Sequence, residues 1–226
     1  MRISFTERLV NAVLRGIIRL VCVVDTRELD KIPRRGPGIL ASNHTTNFEG
    51  PIYYALLRGR KKTALGKLEL WHNPFTRFLM QTWRIIPINR SGPDRRALRR
   101  ALNALERGEF LGIAPEGTRS TTGALQRGRP GTAMIALEAD VPIIPLVQWG
   151  VQDLPRNVLR LRRTRISMAG GDPFYLKRPE GRRPTAGELR RIADEIMYQL
   201  ALLMPERYRG YYRDLSAMTT EFIVRR

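Results

Sequence analysis

The chain has 226 residues, 42% of them apolar, enough for one α/β domain with a substantial core, and a net charge of +19 that draws polyanions rather than cations. Its single cysteine, Cys22, excludes an intrachain disulfide and reads as a packing residue, while two well-separated histidines without a cysteine pair argue against a structural zinc site. The arginines are spread among apolar helix positions without a base-stacking aromatic pattern, which argues against nucleic acid as partner.

Residues 5–24 read as a helix. At about 100° per residue, Arg8, Arg15 and Arg19 fall in one narrow arc and Leu9, Val13, Ile17, Leu20 and Val21 line much of the remainder. Arg15 and Arg19 interrupt any apolar run long enough to span a bilayer, and no small-residue cleavage site follows. The expectation is a basic amphipathic helix in a membrane interface, arginines at headgroup level; the competing use of the same stripe is packing on the rest of the chain.

Residues 38–42 read as a short apolar strand, and Pro51 suits the first turn of a helix ending near residue 58. Between them stands Asn43-His44-Thr45-Thr46-Asn47-Phe48-Glu49-Gly50-Pro51. The spacing suits a loop that leaves a strand and enters a helix, with the His44 and Glu49 side chains on one rim. His72, in Trp71-His72-Asn73-Pro74, has no acidic partner at a telling spacing and reads as a loop or helix-entry residue.

Residues 95–106 read as a helix with Asp94 as N-cap and Gly108 just past its end, and residues 110–114 as a buried strand. Pro115-Glu116-Gly117-Thr118-Arg119-Ser120 follows at once, at a strand's carboxyl end, where open α/β sheets place their ligands. Gly117 permits a tight turn, Thr118 offers a hydroxyl, and Arg119 a planar fork suited to phosphate. Residues 131–138 read as a helix and 143–148 as a strand. Arg156, Arg160, Arg162, Arg163 and Arg165 form a basic cluster, open to solvent, lipid headgroups or an acidic protein partner. After a Pro/Gly-rich loop at 179–184, Thr185 and Glu188 have capping-box spacing for a helix to about residue 203.

This alternation predicts a single α/β domain, a mostly parallel or mixed sheet flanked by helices. It is expected to span residues 31–226, preceded by an amphipathic interfacial segment over residues 1–30.

An alcohol is a poor nucleophile at neutral pH, so a base must take its proton as it attacks a thioester carbonyl, and imidazole titrates in the right range. His44 is the candidate base. Glu49 is the candidate partner that fixes its tautomer, against the plainer task of complementing a helix dipole. Together with Arg119 they suit acyl transfer to a phosphate-bearing alcohol.

These residues resemble the glycerophospholipid acyltransferases of the 1-acylglycerol-3-phosphate type, marked by Asn-His-x-x-x-x-Asp and a later Glu-Gly-Thr-Arg, over residues 36–147. The resemblance implies that His44 is the general base, Glu49 its orienting acid, and Glu116, Gly117, Thr118 and Arg119 the binders of the acceptor's phosphate. Lys67-Leu68-Glu69-Leu70 and Ile85-Ile86-Pro87-Ile88-Asn89-Arg90 match further family blocks, which makes Arg90 a second phosphate ligand and Asn43 and Lys67 candidate substrate or donor contacts. Val141-Pro142-Ile143-Ile144-Pro145-Leu146 matches the last block. Two departures stand out: Glu49 replaces the usual aspartate, and Trp83-Arg84 occupies the place of a glycine.

The expected activity is transfer of a fatty acyl group from acyl-CoA or acyl-carrier protein to lysophosphatidate or a related lysophospholipid, with no metal or bound cofactor. The expected location is peripheral or monotopic on the cytoplasmic face of the cell membrane. The rival of a different class is a non-catalytic basic protein that binds anionic membranes or nucleic acid.

Overall fold

The computed structural model describes residues 3–92 and 94–226. Its sheet has seven strands in the order β1-β7-β6-β2-β5-β3-β4. Five strands, β2 (Gly38–Ala41), β3 (Lys62–Lys67), β4 (Ile86–Ile88), β5 (Phe110–Ile113) and β6 (Ile143–Trp149), are all mutually parallel, with β4 at the edge. β7 (Thr164–Gly170) runs antiparallel to β6 and carries β1 (Cys22–Val24) at the edge. The sheet is thus mostly parallel and flanked by helices, as the alternating pattern predicts.

Period-2 alternation divides the central strands between two cores. Ile39, Ala41, Leu111, Ile113, Ile143 and Val147 face α4 (Arg95–Glu106), α5 (Gly131–Ala139) and α7 (Ala186–Leu202). Leu40, Phe110, Ile144 and Leu146 face the other way, towards α1 (Phe5–Val21) and α2 (Glu49–Leu56). The chain leaves β2 for the α2 face and leaves β5, its neighbour, for the α5 face. Loops that part to opposite faces open a crevice at the carboxyl ends of those strands.

The cap chemistry sets several boundaries. Asp94 accepts from Ala97 N at 2.9 Å at the start of α4, Gly108 turns out of it with φ 73°, and Thr185 with Glu188 completes a capping box at α7. Asn73 caps α3 (Pro74–Thr82), and His72 is the loop residue before it. A second, two-stranded sheet of β8 (Tyr175–Leu176) and β9 (Ile223–Val224) closes the α5 side.

The amino-terminal segment departs from expectation at its end. The helix stops at Val21; Cys22, Val23 and Val24 are extended and pair with Thr164, Arg165 and Ile166. β-branched residues after the last helical turn gain a ladder partner there, so Cys22 is a buried strand residue and residues 1–30 are stitched into the sheet instead of standing apart. The inward face of α1 is polar, and its apolar stripe is left outside, as the interfacial reading expects and the packing alternative does not. Leu9, Val13, Ile17 and Leu20 are exposed, whereas Glu7 and Asn11 are buried with Ile18. Asn11 accepts from Trp83 Nε1 at 3.0 Å, and Glu7 lies near Arg84 and the buried Lys62. Burial pulls the Lys62 ammonium down to about 8, with Glu7 opposing.

Candidate active site

His44 stands three residues past the end of β2, on the loop that enters α2. Its Nδ1 donates to Glu49 Oε2 at 2.5 Å. A carboxylate can only accept there, so Nδ1 is the donor and Nε2 is the ring nitrogen turned away from Glu49. The other carboxylate oxygen of Glu49 accepts from Thr45 N at 2.6 Å, Thr45 Oγ1 at 2.7 Å and Thr46 N at 2.5 Å. The loop is therefore wound around Glu49, which is 4% exposed, while the imidazole keeps a 23% exposed edge. Glu49 also opens α2, so its position is compatible with either of the two tasks weighed for it from sequence. Its extra methylene is absorbed because the turn closes on the carboxylate.

The backbone of His44 is clamped by the second motif. His44 N donates to Glu116 Oε1 at 2.8 Å, and Ser120 N donates to His44 O at 2.7 Å. Both bonds join the two loops at one residue. Glu116 is 1% exposed, and its second oxygen accepts from Gln126 N at 2.9 Å. Burial pushes its carboxyl up to about 7, against the backbone N–H bonds from Gln126 and His44. This geometry corrects the expectation that Glu116 meets phosphate: its oxygens point into the protein and are spent on loop amides.

Asn43 is corrected in the same way. It is 3% exposed; its amide donates to Gln148 O at 2.8 Å and accepts from Gln148 N at 3.0 Å. The side chain mimics one more rung of the β2–β6 ladder, and it is its burial that turns it away from a substrate. Gln148 in turn donates to Thr45 Oγ1 at 3.4 Å, so β6 also braces the loop. Nothing in the sequence marks Gln148, which looks like any polar residue at a strand end.

The cationic rim is built beyond three strand ends. Arg119 and Thr118 are exposed beyond β5, Lys67 is half-buried at the end of β3, and Arg90 is exposed just past β4. The Arg90 guanidinium is held below its ordinary range first by desolvation, then by the positive fields of Arg129 and Arg119, with Glu69 opposing. Arg90, Arg119 and Arg129 therefore share one small region. Arg129 is a residue that sequence reasoning misses. It arrives because the chain after β5 folds back, Arg129 N donating to Pro115 O at 2.8 Å. Gly117, at φ 70°, makes the room: a Cβ there would lie 2.6 Å from Arg129 Cδ. The one available signal is Gly128-Arg129-Pro130-Gly131, an arginine set among turn residues before a helix.

Like charges crowd in this way where an anion is to be held. An imidazole held by a buried carboxylate thus stands at a crevice whose rim is cationic. Among the described residues no group of three or more His, Cys, Asp or Glu is arranged to hold a metal ion.

Residues 23–149, more than half the chain, match the Acyltransferase family. The chain belongs to this family. The 1-acyl-sn-glycerol-3-phosphate acyltransferase of Streptococcus pneumoniae is 27% identical over 176 residues, 74% of this chain and 64% of that one. The chloroplastic 1-acyl-sn-glycerol-3-phosphate acyltransferase BAT2 of Brassica napus is 27% identical over 129 residues, 56% of this chain and 37% of its own. The chain thus spans little more than a third of that plant relative. Among solved structures, the 1-acyl-sn-glycerophosphate acyltransferase PlsC of Thermotoga maritima superposes with a TM-score of 0.64 at 21% identity, over 95% of this chain and 81% of that one. That likeness shows a shared acyltransferase fold. Lys67, Glu69 and Arg90 fall within the matched segment, as do both loops of the crevice.

Proposed function

We propose that this acyltransferase moves a fatty acyl group from an acyl thioester, acyl-CoA or acyl-carrier protein, to the free hydroxyl of 1-acylglycerol-3-phosphate. The observation that carries the reading is the Glu49-oriented His44 clamped beside the arginine rim. His44 Nε2 takes the hydroxyl proton as the acceptor oxygen attacks the thioester carbonyl. The tetrahedral intermediate then expels the thiolate, which recovers that proton from the imidazolium, leaving the new ester and the free thiol. Glu49 stabilises the imidazolium between the two steps. Arg90, Arg119 and Arg129 hold the acceptor's phosphate so that its hydroxyl lies near Nε2, and Glu116 positions the His44 backbone without touching substrate. The chemistry as written uses no metal or bound cofactor.

The membrane supplies the acceptor in this reading. No helix among the described residues is long and apolar enough to cross a membrane. The exposed stripe of Leu9, Val13, Ile17 and Leu20 would lie in the headgroup boundary, with Arg8 and Arg19 beside lipid phosphates and Arg15 bonded to Ala55 O on the domain side. The cytoplasmic leaflet, rich in anionic lipid, is the proposed face.

Mass spectrometry of products from acyl-CoA and a panel of lysophospholipids tests the assignment. His44→Ala should lower turnover by about a thousandfold or more while the protein stays folded. Arg129→Ala should weaken use of lysophosphatidate far more than use of an acceptor lacking the terminal phosphate. Wild-type turnover in His44→Ala would end the mechanism, and equal losses on both acceptors would return Arg129 to a structural task.

A further inference from the structure

The apolar tip between α6 (Leu154–Leu159) and β7 is not used by the proposed chemistry. Leu159 is 86% exposed and Leu161 97%. Leu161 is also left-handed, at φ 54°, a conformation that is strained for a residue with a Cβ. The backbone holds it there: Leu161 N donates to Val158 O at 3.0 Å, Arg162 N to Asn157 O at 2.9 Å, and Asn157 binds Thr164 Oγ1 at 3.2 Å. A firm turn thus presents two leucines outward.

The topology says at which end of the sheet they lie. Trp149 at the end of β6 pairs with Ser167 in β7. The connection between them therefore lies at the same end of the sheet as the crevice after β2 and β5. Arg163 fastens it to the amino-terminal helix, donating to Arg19 O at 2.7 Å and Cys22 O at 2.6 Å. Leu20, 75% exposed, and Val23, 45% exposed, flank the residues that Arg163 binds on the amino-terminal side of that junction. Arg156, Arg160, Arg162 and Arg165 are exposed around the tip.

We propose that this tip is a second membrane-insertion point, its leucines entering the headgroup boundary of an anionic leaflet while the surrounding arginines meet lipid phosphates. The inference rests on the membrane reading of α1 and deepens it. A convex pair of leucines offers no groove for another protein's side chains, but a fluid interface deforms around it, and the ring of arginines matches anionic headgroups. One attachment along α1 would leave the protein free to roll about that helix. A second, fixed to its end through Arg163, sets the tilt and keeps the crevice rim against the leaflet.

The test places an environment-sensitive fluorophore on the full-length chain at Leu161→Cys, Val13→Cys or Glu106→Cys, each in Cys22→Ser. Glu106 is exposed at the end of α4, away from the crevice. Phosphatidylcholine vesicles containing phosphatidylglycerol should blue-shift the probes at 161 and 13 but not at 106, and added salt should weaken the effect. Leu159→Ser with Leu161→Ser should weaken vesicle partition roughly tenfold without changing the melting temperature. A shift at 13 without one at 161 would overturn the tip while leaving the α1 reading intact; a shift at neither would overturn both. A response at 161 to an acidic carrier protein but not to vesicles would make the tip a protein-docking surface and overturn the proposal. None of these readouts depends on turnover, so failure of the acyltransferase assignment is seen separately in the product assay.

Discussion

Helices α1 and α4 carry the same kind of pattern, an apolar stripe opposite arginines, and the fold uses them in opposite ways. α4 buries Ala97, Ala101, Ala104 and Leu105 against the sheet and leaves its arginines mostly to solvent. α1 buries Glu7 and Asn11 and leaves Leu9, Val13, Ile17 and Leu20 outside. Periodicity announces that a face is apolar; it does not say whether protein or lipid will cover it. The arrangement of polar partners decides. Trp83 Nε1 needs an acceptor and Lys62 a compensating charge, and Asn11 and Glu7 supply them from the inward face of α1.

The contrast breaks most sharply in α4. Ala101, fully buried, becomes a buried charge in Ala101→Asp, which should cost about 3 kcal/mol or more and unfold much of the protein at ordinary temperature. Chemical denaturation measures it, and a loss below about 1 kcal/mol would mean that α4 is not seated as described.

Buried carboxylates give the next largest effect. Glu7 has cationic neighbours, whereas Glu116 is in no salt bridge among the described residues and its carboxyl is pushed up to about 7. A carboxyl raised in the folded state favours the protonated protein. Its contribution is complete below the ordinary carboxylate value and is lost as pH rises towards about 7. At about 1.4 kcal/mol per pH unit the loss amounts to at most about 3 kcal/mol, and Glu116→Gln should flatten that slope. Melting curves of both proteins between pH 4.5 and 7.5 decide, and parallel curves would refute the burial effect.

A smaller loss is expected at the inward face of α1. Asn11→Leu is more apolar, yet it strands Trp83 Nε1 and should destabilise by about 1–3 kcal/mol. If leucine stabilised the protein, the polar docking of α1 would be wrong. The smallest effect on stability belongs to the outward face: Val13→Ser with Ile17→Ser should change unfolding by less than about 0.5 kcal/mol, yet release the protein from anionic vesicles. A large fall in melting temperature would show that the stripe is packed after all.

The placement of the candidate site's residues was legible because its parts are local. His44 and Glu49 are five residues apart on one loop, and Glu116 to Arg119 follow one strand directly, so spacing and residue type alone place them at strand ends. The resemblance to known acyltransferases rests on those short segments. Arg129 and Gln148 stay hidden because they reach the site by chain reversal and sheet pairing, which leave no periodic mark. Glu116 and Asn43 are visible as residues but not as directions. Whether a carboxylate or amide turns to solvent or to a neighbouring loop depends on amides brought from elsewhere.

By itself the sequence determined the alternation of strands and helices, the capped ends of α4 and α7, and the histidine, carboxylate and arginines of the rim, since these follow from short-range sterics, hydrogen bonding and periodicity. Tertiary structure alone decided which face of α1 looks outward, that Cys22–Val24 leave the helix to edge the sheet, and that Glu116 braces the loop of His44. Each of those outcomes turns on a buried polar group or an open strand edge finding its partner far away in the chain, and the cost of leaving it unpaired is what selects among arrangements that the local pattern leaves equal.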